Sequence, residues 1–212
     1  NEALQSNLSQ KNLATGITYT RDWNERLSTT GQDYLSKYDL NATNFDVLNN
    51  QRLIQENEVT DGSVKFDMNY KATQTIKING GYQFSEIGIS NLEDVNNPVF
   101  RSYIKEVVRS HAIYTESSIL SNNALTNLKI GARINYHEKF SMFLFEPRLN
   151  FSQRFLNYFR FEIQGEIKSQ TTSQIIDLQN DFLGIEKRRW ILSNNESVPV
   201  IKSKQISTGI HF

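Results

Sequence analysis

Between Phe143 and Ser169 the sequence FLFEPRLNFSQRFLNYFRFEIQGEIKS changes character at nearly every residue. Odd positions carry Phe143, Phe145, Pro147, Leu149 and Phe151, then Phe159, Phe161, Ile163, Gly165 and Ile167. Even positions carry Glu146, Arg148, Asn150 and Arg154, then Arg160, Glu162, Glu166 and Lys168. A period of two belongs to a β-strand, whose successive side chains point to opposite faces. The break at Leu156-Asn157-Tyr158 is too short for a crossover helix, so the two arms form an antiparallel hairpin. Alternating strands of about 9–11 residues with one apolar face are the unit of a membrane-spanning β-barrel.

The register of this hairpin follows from two constraints. Apolar side chains of both arms must share a face, because a slip of one residue turns an arm inside out. A three-residue loop then sets Phe155 opposite Phe159 and Phe151 opposite Ile163, with Arg148 meeting Glu166 and Glu146 meeting Lys168 on the other face. A register two residues shorter opposes Glu146 and Glu166. Opposite charges contribute about 0.2–1 kcal/mol and like charges oppose pairing. The preferred register leaves Arg154 facing Arg160, which calls for water or a carboxylate from a neighbouring strand.

The same alternation recurs along the chain. Leu13, Ile17 and Tyr19 mark a first strand, after a polar connection over residues 1–11. Val64, Phe66, Met68 and Tyr70 precede a turn at Ala72-Thr73-Gln74, and Ile76, Ile78, Gly80, Tyr82 and Phe84 follow it. Phe66 is expected opposite Gly80, where its ring finds an empty site. A strand over about 103–117 has blurred faces, 126–136 alternates cleanly, and a last strand places Lys204, Ile206, Thr208, Ile210 and Phe212 on one face. The reading is all-β, an antiparallel up-and-down meander of about eight strands that forms part of a transmembrane barrel. Short turns near 72–74, 121–124 and 156–158 fall on one side, and longer loops over 27–55, 87–101 and 171–201 on the other, as outer-membrane barrels sort them. Tyr70, Tyr82, Phe84, Tyr136, Phe143, Phe145, Phe155, Phe159 and Phe161 gather near strand ends, as interfacial aromatic girdles do.

Composition narrows the function classes. Among 212 residues, 23 basic side chains balance 23 acidic ones, which argues against nucleic acid or an anionic surface as an electrostatic partner. Cysteine is absent, removing thiolate chemistry and disulfides. No apolar run approaches the ~20 residues of a spanning helix, but a barrel hides its membrane affinity in alternate residues.

Three stretches, DGSVKFDMNYKATQTIKINGGYQFSEIGISNLEDVNNPVFRSYIKEVVRSH, FEPRLNFSQRF and DFLGIEKRRWILSNNESVPVIKSKQISTGIHF, together resemble the barrel portion of TonB-dependent outer-membrane receptors. The likeness is to large members that carry a carboxypeptidase-regulatory-like domain ahead of the plug, and it covers the chain from about Asp61 onward. It implies a barrel of about 22 strands around an N-terminal plug, located in the bacterial cell outer membrane. The implied work is TonB-powered uptake of a scarce nutrient: a metal chelate, vitamin, glycan or peptide. The implied partners are outer-membrane lipid, the receptor's own plug, TonB and a surface lipoprotein. Residues 1–212 show no plug, TonB box or signal peptide, so they read as an internal part of such a barrel domain. Two other readings stand beside it: a complete eight-stranded outer-membrane barrel acting as adhesin or enzyme, and a soluble β-sandwich that binds a ligand.

No catalytic constellation emerges, and the expectation is a protein that is not an enzyme and uses no cofactor or metal. His111, His137 and His211 sit on different strands without paired spacing, which suits structural or solvent-facing roles better than ligation. Glu162 and Glu166 lie four residues apart, roughly 13 Å at ~3.3 Å per residue, too far for a glycosidase pair. With Glu146, Arg148, Arg160 and Lys168 they read as a charge ladder facing the lumen and plug. Lys187, Arg188, Arg189 and Trp190, in the long loop, are the candidate ligand-binding group, since a cation cluster beside an indole suits an anionic or ring-bearing ligand.

Overall fold

A computed structural model of the chain describes residues 4–156, 158–177, 187–194 and 196–212. Nine strands form one antiparallel meander: β1 (Leu4–Asp22), β2 (Leu27–Asp46), β3 (Gln51–Lys71), β4 (Ile76–Asn96), β5 (Val99–Leu120), β6 (Thr126–His137), β7 (Met142–Phe155), β8 (Phe159–Gln170) and β11 (Ile201–His211). Between β8 and β11 a small hairpin, β9 (Thr172–Asp177) and β10 (Lys187–Leu192), makes a separate two-stranded sheet. Among the described residues no helix is long and apolar enough to cross a membrane, a statement that does not bear on strands.

The hairpin at 143–169, β7 with β8, forms in the expected register over Arg148–Phe155. Phe155 faces Phe159, Phe151 faces Ile163, Arg148 faces Glu166, and Arg154 faces Arg160. The ladder stops there, so the expected Glu146 and Lys168 pair does not form. Instead Glu146 Oε1 accepts hydrogen bonds from the backbone N–H of Ser169, at 2.8 Å, and from the Ser169 hydroxyl. Lys168 turns along its own strand to Glu166 at 2.7 Å, and Arg160 to Glu162 at 2.8 Å. Glu162 lies on the same strand as Arg160 rather than on a neighbouring one, and Arg154 opposite makes no ion pair among the described residues.

Several expectations are corrected toward longer strands. Residues 4–12 belong to β1, residues 27–46 form β2, and residues 51–63 begin β3, so the expected loop over 27–55 shrinks to Val47–Asn50. The expected loop over 87–101 is likewise the meeting of β4 and β5 around a tight turn at Asn97-Pro98. The strand with blurred faces runs from Val99 to Leu120 in continuous register with β4. The count is therefore nine rather than eight, and the two sides differ in how far strands project beyond the alternating segments, not mainly in loop length. Alternation fades there because polar and apolar side chains occur on both faces, with Leu53, Ile89, Val95 and Val108 buried on the face that is polar elsewhere, while cross-strand backbone bonds hold the extended form whatever the side chains are.

The register of β3 and β4 also differs from expectation by two residues. Phe66 faces Tyr82, and Met68 faces Gly80. The turn is longer than three residues: the Thr73 hydroxyl oxygen accepts the N–H groups of Thr75 and Ile76, and Lys71 pairs with Lys77. A ring does cover a glycine, but on the opposite face, where Tyr114 of β5 lies over Gly81.

The two faces are unlike. One presents Ile17, Phe143 and Ile206 with 74%, 70% and 86% of their surface exposed, and among the described residues no second layer covers them, which removes the β-sandwich reading. The other buries polar residues, among them Asn44, Asn57, Ser63, Asn135, His137 and Glu146. β1 and β11 are the two edges of the sheet, so the first strand does not pair with the last and the closed eight-stranded barrel is not formed.

Candidate functional site

Strand pairing aligns the polar face into rows that cross the sheet. One row runs Asp67, Gly81, Tyr114, Arg133 and Glu146 over β3 to β7. Tyr114 crosses Gly81 and donates its hydroxyl hydrogen to Asp67, which also pairs with Lys65 at 2.9 Å. The Arg133 guanidinium lies 5.4 Å from the Tyr114 ring centre and donates to Gln83 at 2.9 Å and Asn135 at 2.7 Å. Gln83 in turn donates to Ser63 at 2.8 Å. The next row holds Glu116, Gly131, Arg148, Glu166 and Gln205. A cavity of about 680 Å³ opens beside Glu116, Lys129, Arg148 and Glu166.

All six residues of the expected charge ladder, Glu146, Arg148, Arg160, Glu162, Glu166 and Lys168, share this polar face. The hub of Asp67, Tyr114 and Arg133 was not singled out in the sequence. Its signal was the even phase of β5, which Val107-Val108 and Ala112-Ile113-Tyr114 obscure.

At the end where β6 meets β7, His137 is buried, and its Nδ1 lies 2.6 Å from the Ser110 hydroxyl. Burial, followed by the opposing influences of Glu146 and Arg133, holds its imidazole below the ordinary range. The group is thus neutral when folded. As pH falls below the ordinary imidazole value the unfolded chain binds a proton that the folded chain refuses, so stability decreases. Unfolding titrations from pH 7.5 to 5 should show this loss, and His137→Gln should flatten it; an unchanged slope would refute the assignment.

Within the segment expected to be a long loop over 171–201, β10 returns to the polar face. Leu192 forms a small apolar core with Ile89 and Val108, and Val59, Ile87, Phe140 and Trp190 pack around it. Asn91 donates to the Trp190 carbonyl oxygen at 3.2 Å. Trp190 is thus a packed anchor of β10 on the sheet. Lys187, Arg188 and Arg189 belong to β10, but their side chains lie outside the described residues. Leu192→Ala removes a side chain only 3% exposed, a change that commonly costs about 2–5 kcal/mol. Limited proteolysis should then cut within 171–200 faster while the nine-stranded sheet persists.

The apolar face carries two aromatic rows. Phe84, His111, Tyr136 and Phe143 lie side by side on β4 to β7, with successive ring separations of 5.1, 6.3 and 4.7 Å. His111 is fixed between the Tyr82 hydroxyl at 2.6 Å and Glu138 at 2.8 Å. Near the opposite strand ends Phe155 stacks on Phe159 at 5.5 Å, and Phe212 sits 5.2 Å from Phe159. His211, on the polar face, lies 3.2 Å from Glu162. Among the described residues no cluster of His, Asp and Glu could hold a metal ion.

Neither a protein-family model nor a curated protein sequence matches the chain. Solved structures do. The RagAB peptide transporter superposes with a TM-score of 0.68 at 7% identity, over 99% of this chain and 29% of that one. The fold is that of an outer-membrane barrel segment. A ferric preacinetobactin receptor, BauA from Acinetobacter baumannii, gives 0.62 at 8% identity, over 97% of this chain and 35% of that one. The siderophore receptor PirA from Pseudomonas aeruginosa gives 0.51 at 13%, over 100% and 47%. This barrel segment therefore spans less than half the length of each of these chains.

Proposed function

We propose that the chain is the barrel segment of an outer-membrane receptor for active uptake of a scarce nutrient. The observation that carries the proposal is the spacing of the two aromatic rows on a largely apolar face, on which Lys204 of β11 is a charged exception between the rows. Phe143 and Phe155 are twelve positions apart on β7, about 40 Å at ~3.3 Å per residue. At a tilt of ~45° that is about 28 Å along the membrane normal, against an apolar band of ~25 Å in outer-membrane barrels. The buried polar face opposite then lines a lumen, and the projecting ends of β2 to β5 stand outside the membrane with the β9 and β10 hairpin folded over them.

The likeness to a peptide transporter and to siderophore receptors, together with the resemblance of its sequence to TonB-dependent receptors, supports uptake as the work of the whole protein. In this reading the lumen holds a plug, energy arrives through TonB, a surface lipoprotein assists capture, and the charge ladder supports the plug. The transported molecule is a metal chelate, vitamin, glycan or peptide, met first by the outer strand ends and the 171–200 segment. Neutral overall charge and mixed signs on the projecting ends speak against nucleic acid.

The decisive experiment uses the product of the intact gene. It should fractionate with the outer membrane and migrate faster before boiling than after, and its deletion should impair growth when one nutrient class is the limiting source. Recovery as a soluble protein without detergent would overturn the reading.

A further inference from the structure

Strand pairing also orders the outward, apolar face into rows, and one of them is a trough. Gly80, Thr115, Ala132 and Pro147 stand side by side on β4 to β7, and none of them carries a long side chain. The row on one side holds Ile113, Ile134 and Phe145, and the row on the other Ile130, Leu149 and Ile206, all of them exposed. The result is a groove of about 770 Å³ that runs from Thr115 of β5 to Lys204 of β11. That is four strand spacings of ~4.8 Å, about 19 Å, comparable with an extended acyl chain.

Charge marks one end of the trough. Lys204 borders the groove and faces Ile167, and Lys202 lies two positions away on the same face, opposite Ser169. Both are exposed, and among the described residues neither makes an ion pair or a hydrogen bond. The carboxylates of β5 to β8, which are Glu106, Glu116, Glu146, Glu162 and Glu166, all stand on the polar face, and β11 has none. No acid on the outward face of these strands therefore neutralises the two lysines. Lys204 is eight positions from Phe212, which packs on Phe159 in the lower aromatic row. At ~3.3 Å per residue and a tilt of ~45° that is about 19 Å of the ~28 Å between the rows, so the ammonium reaches the outer headgroups by extending its stem.

We propose that the trough binds one phosphate-bearing lipid of the outer leaflet, with an acyl chain lying over Ala132 and Pro147 and the phosphate held by Lys204 and Lys202. The inference rests on the outer-membrane barrel reading and adds to it a lipid fixed at one place on the wall. Two arguments select the occupant. A trough open to hydrocarbon takes a chain, because its two ridges give that chain more contact than a flat wall does. Cations at the membrane boundary draw an anionic headgroup, whereas a neutral lipid would leave both lysines uncompensated.

The test is native mass spectrometry of the intact gene product, purified from membranes in an uncharged detergent. It is offered dioleoyl phosphatidylglycerol, phosphatidylcholine with the same chains, or inorganic phosphate. Expected is one phosphatidylglycerol retained several-fold more than phosphatidylcholine, and no inorganic phosphate. Lys202→Gln combined with Lys204→Gln should abolish that preference. Ala132→Phe, which fills the trough and leaves both charges, should lower phosphatidylglycerol retention several-fold, whereas Lys129→Gln, on the polar face, should leave it unchanged. Equal retention of the two lipids, an unchanged preference in the double variant, or inorganic phosphate bound in place of lipid overturns the lipid site in a protein that still fractionates with the outer membrane. Recovery as a soluble protein without detergent overturns the barrel reading itself.

Discussion

Arginine in place of Leu149 is expected to cost about 2–4 kcal/mol of folding stability in lipid, while arginine at the adjacent Asn150 should change stability little. Leu149 lies midway between Phe143 and Phe155 on the apolar face, where it faces Gly165 and Ile130. Asn150 points to the polar face beside Lys129 and Gln164. A guanidinium at the first position must be drawn from water into hydrocarbon or bend toward an interface some 14 Å away, whereas at the second it enters a polar cavity. Denaturant unfolding in phospholipid vesicles, with Phe151→Arg and Ile163→Arg as companions nearer the lower aromatic row, measures the difference. Equal tolerance on both faces would refute a lipid-facing apolar surface.

The second large effect is expected at Gly81. A Cβ placed there meets the Phe66 carbonyl oxygen and the Tyr114 ring at distances no real side chain adopts. The ring can swing away, but the carbonyl belongs to the β3 ladder and cannot. Gly81→Val should therefore destabilise by about 3 kcal/mol, the upper part of the range for overpacking, and should break the Tyr114 hydrogen bond to Asp67. Gly31, with nothing within 4 Å of its added Cβ, is the control. Gly31→Val should be close to neutral, because a β-branched residue suits an open strand position. Similar unfolding midpoints for the two variants would show that Tyr114 and β3 do not close over Gly81.

Together these substitutions probe what alternation can and cannot encode. Where one face meets an apolar medium and the other does not, every residue must declare its side. The hairpin at 143–169 could for that reason be registered from its letters to Arg148 opposite Glu166. The two-residue error at Phe66 has the same root: parity was determined, but the turn around Thr73 is set by side-chain capping of backbone N–H groups, which parity does not see. In the projecting ends neither face is uniformly apolar, and residues 27–46 read as a loop because nothing in their pattern distinguishes a hydrogen-bonded strand from a solvated coil.

The candidate site divides in the same way. The six residues of the charge ladder share one face because their phase in β7 and β8 is fixed by the phenylalanines between them. Tyr114 over Gly81, Arg133 on Gln83 and Asn135, and Trp190 packed beside Ile89 and Val108 join elements far apart in the chain, up to β4 with β10. Alternation is a local property of the backbone, so the sequence by itself determined strand, face and hairpin register. How Tyr114, Arg133 and Gln83 join, and where β10 lies, depends on side chains that meet only when the sheet is assembled, and that only the tertiary structure decided.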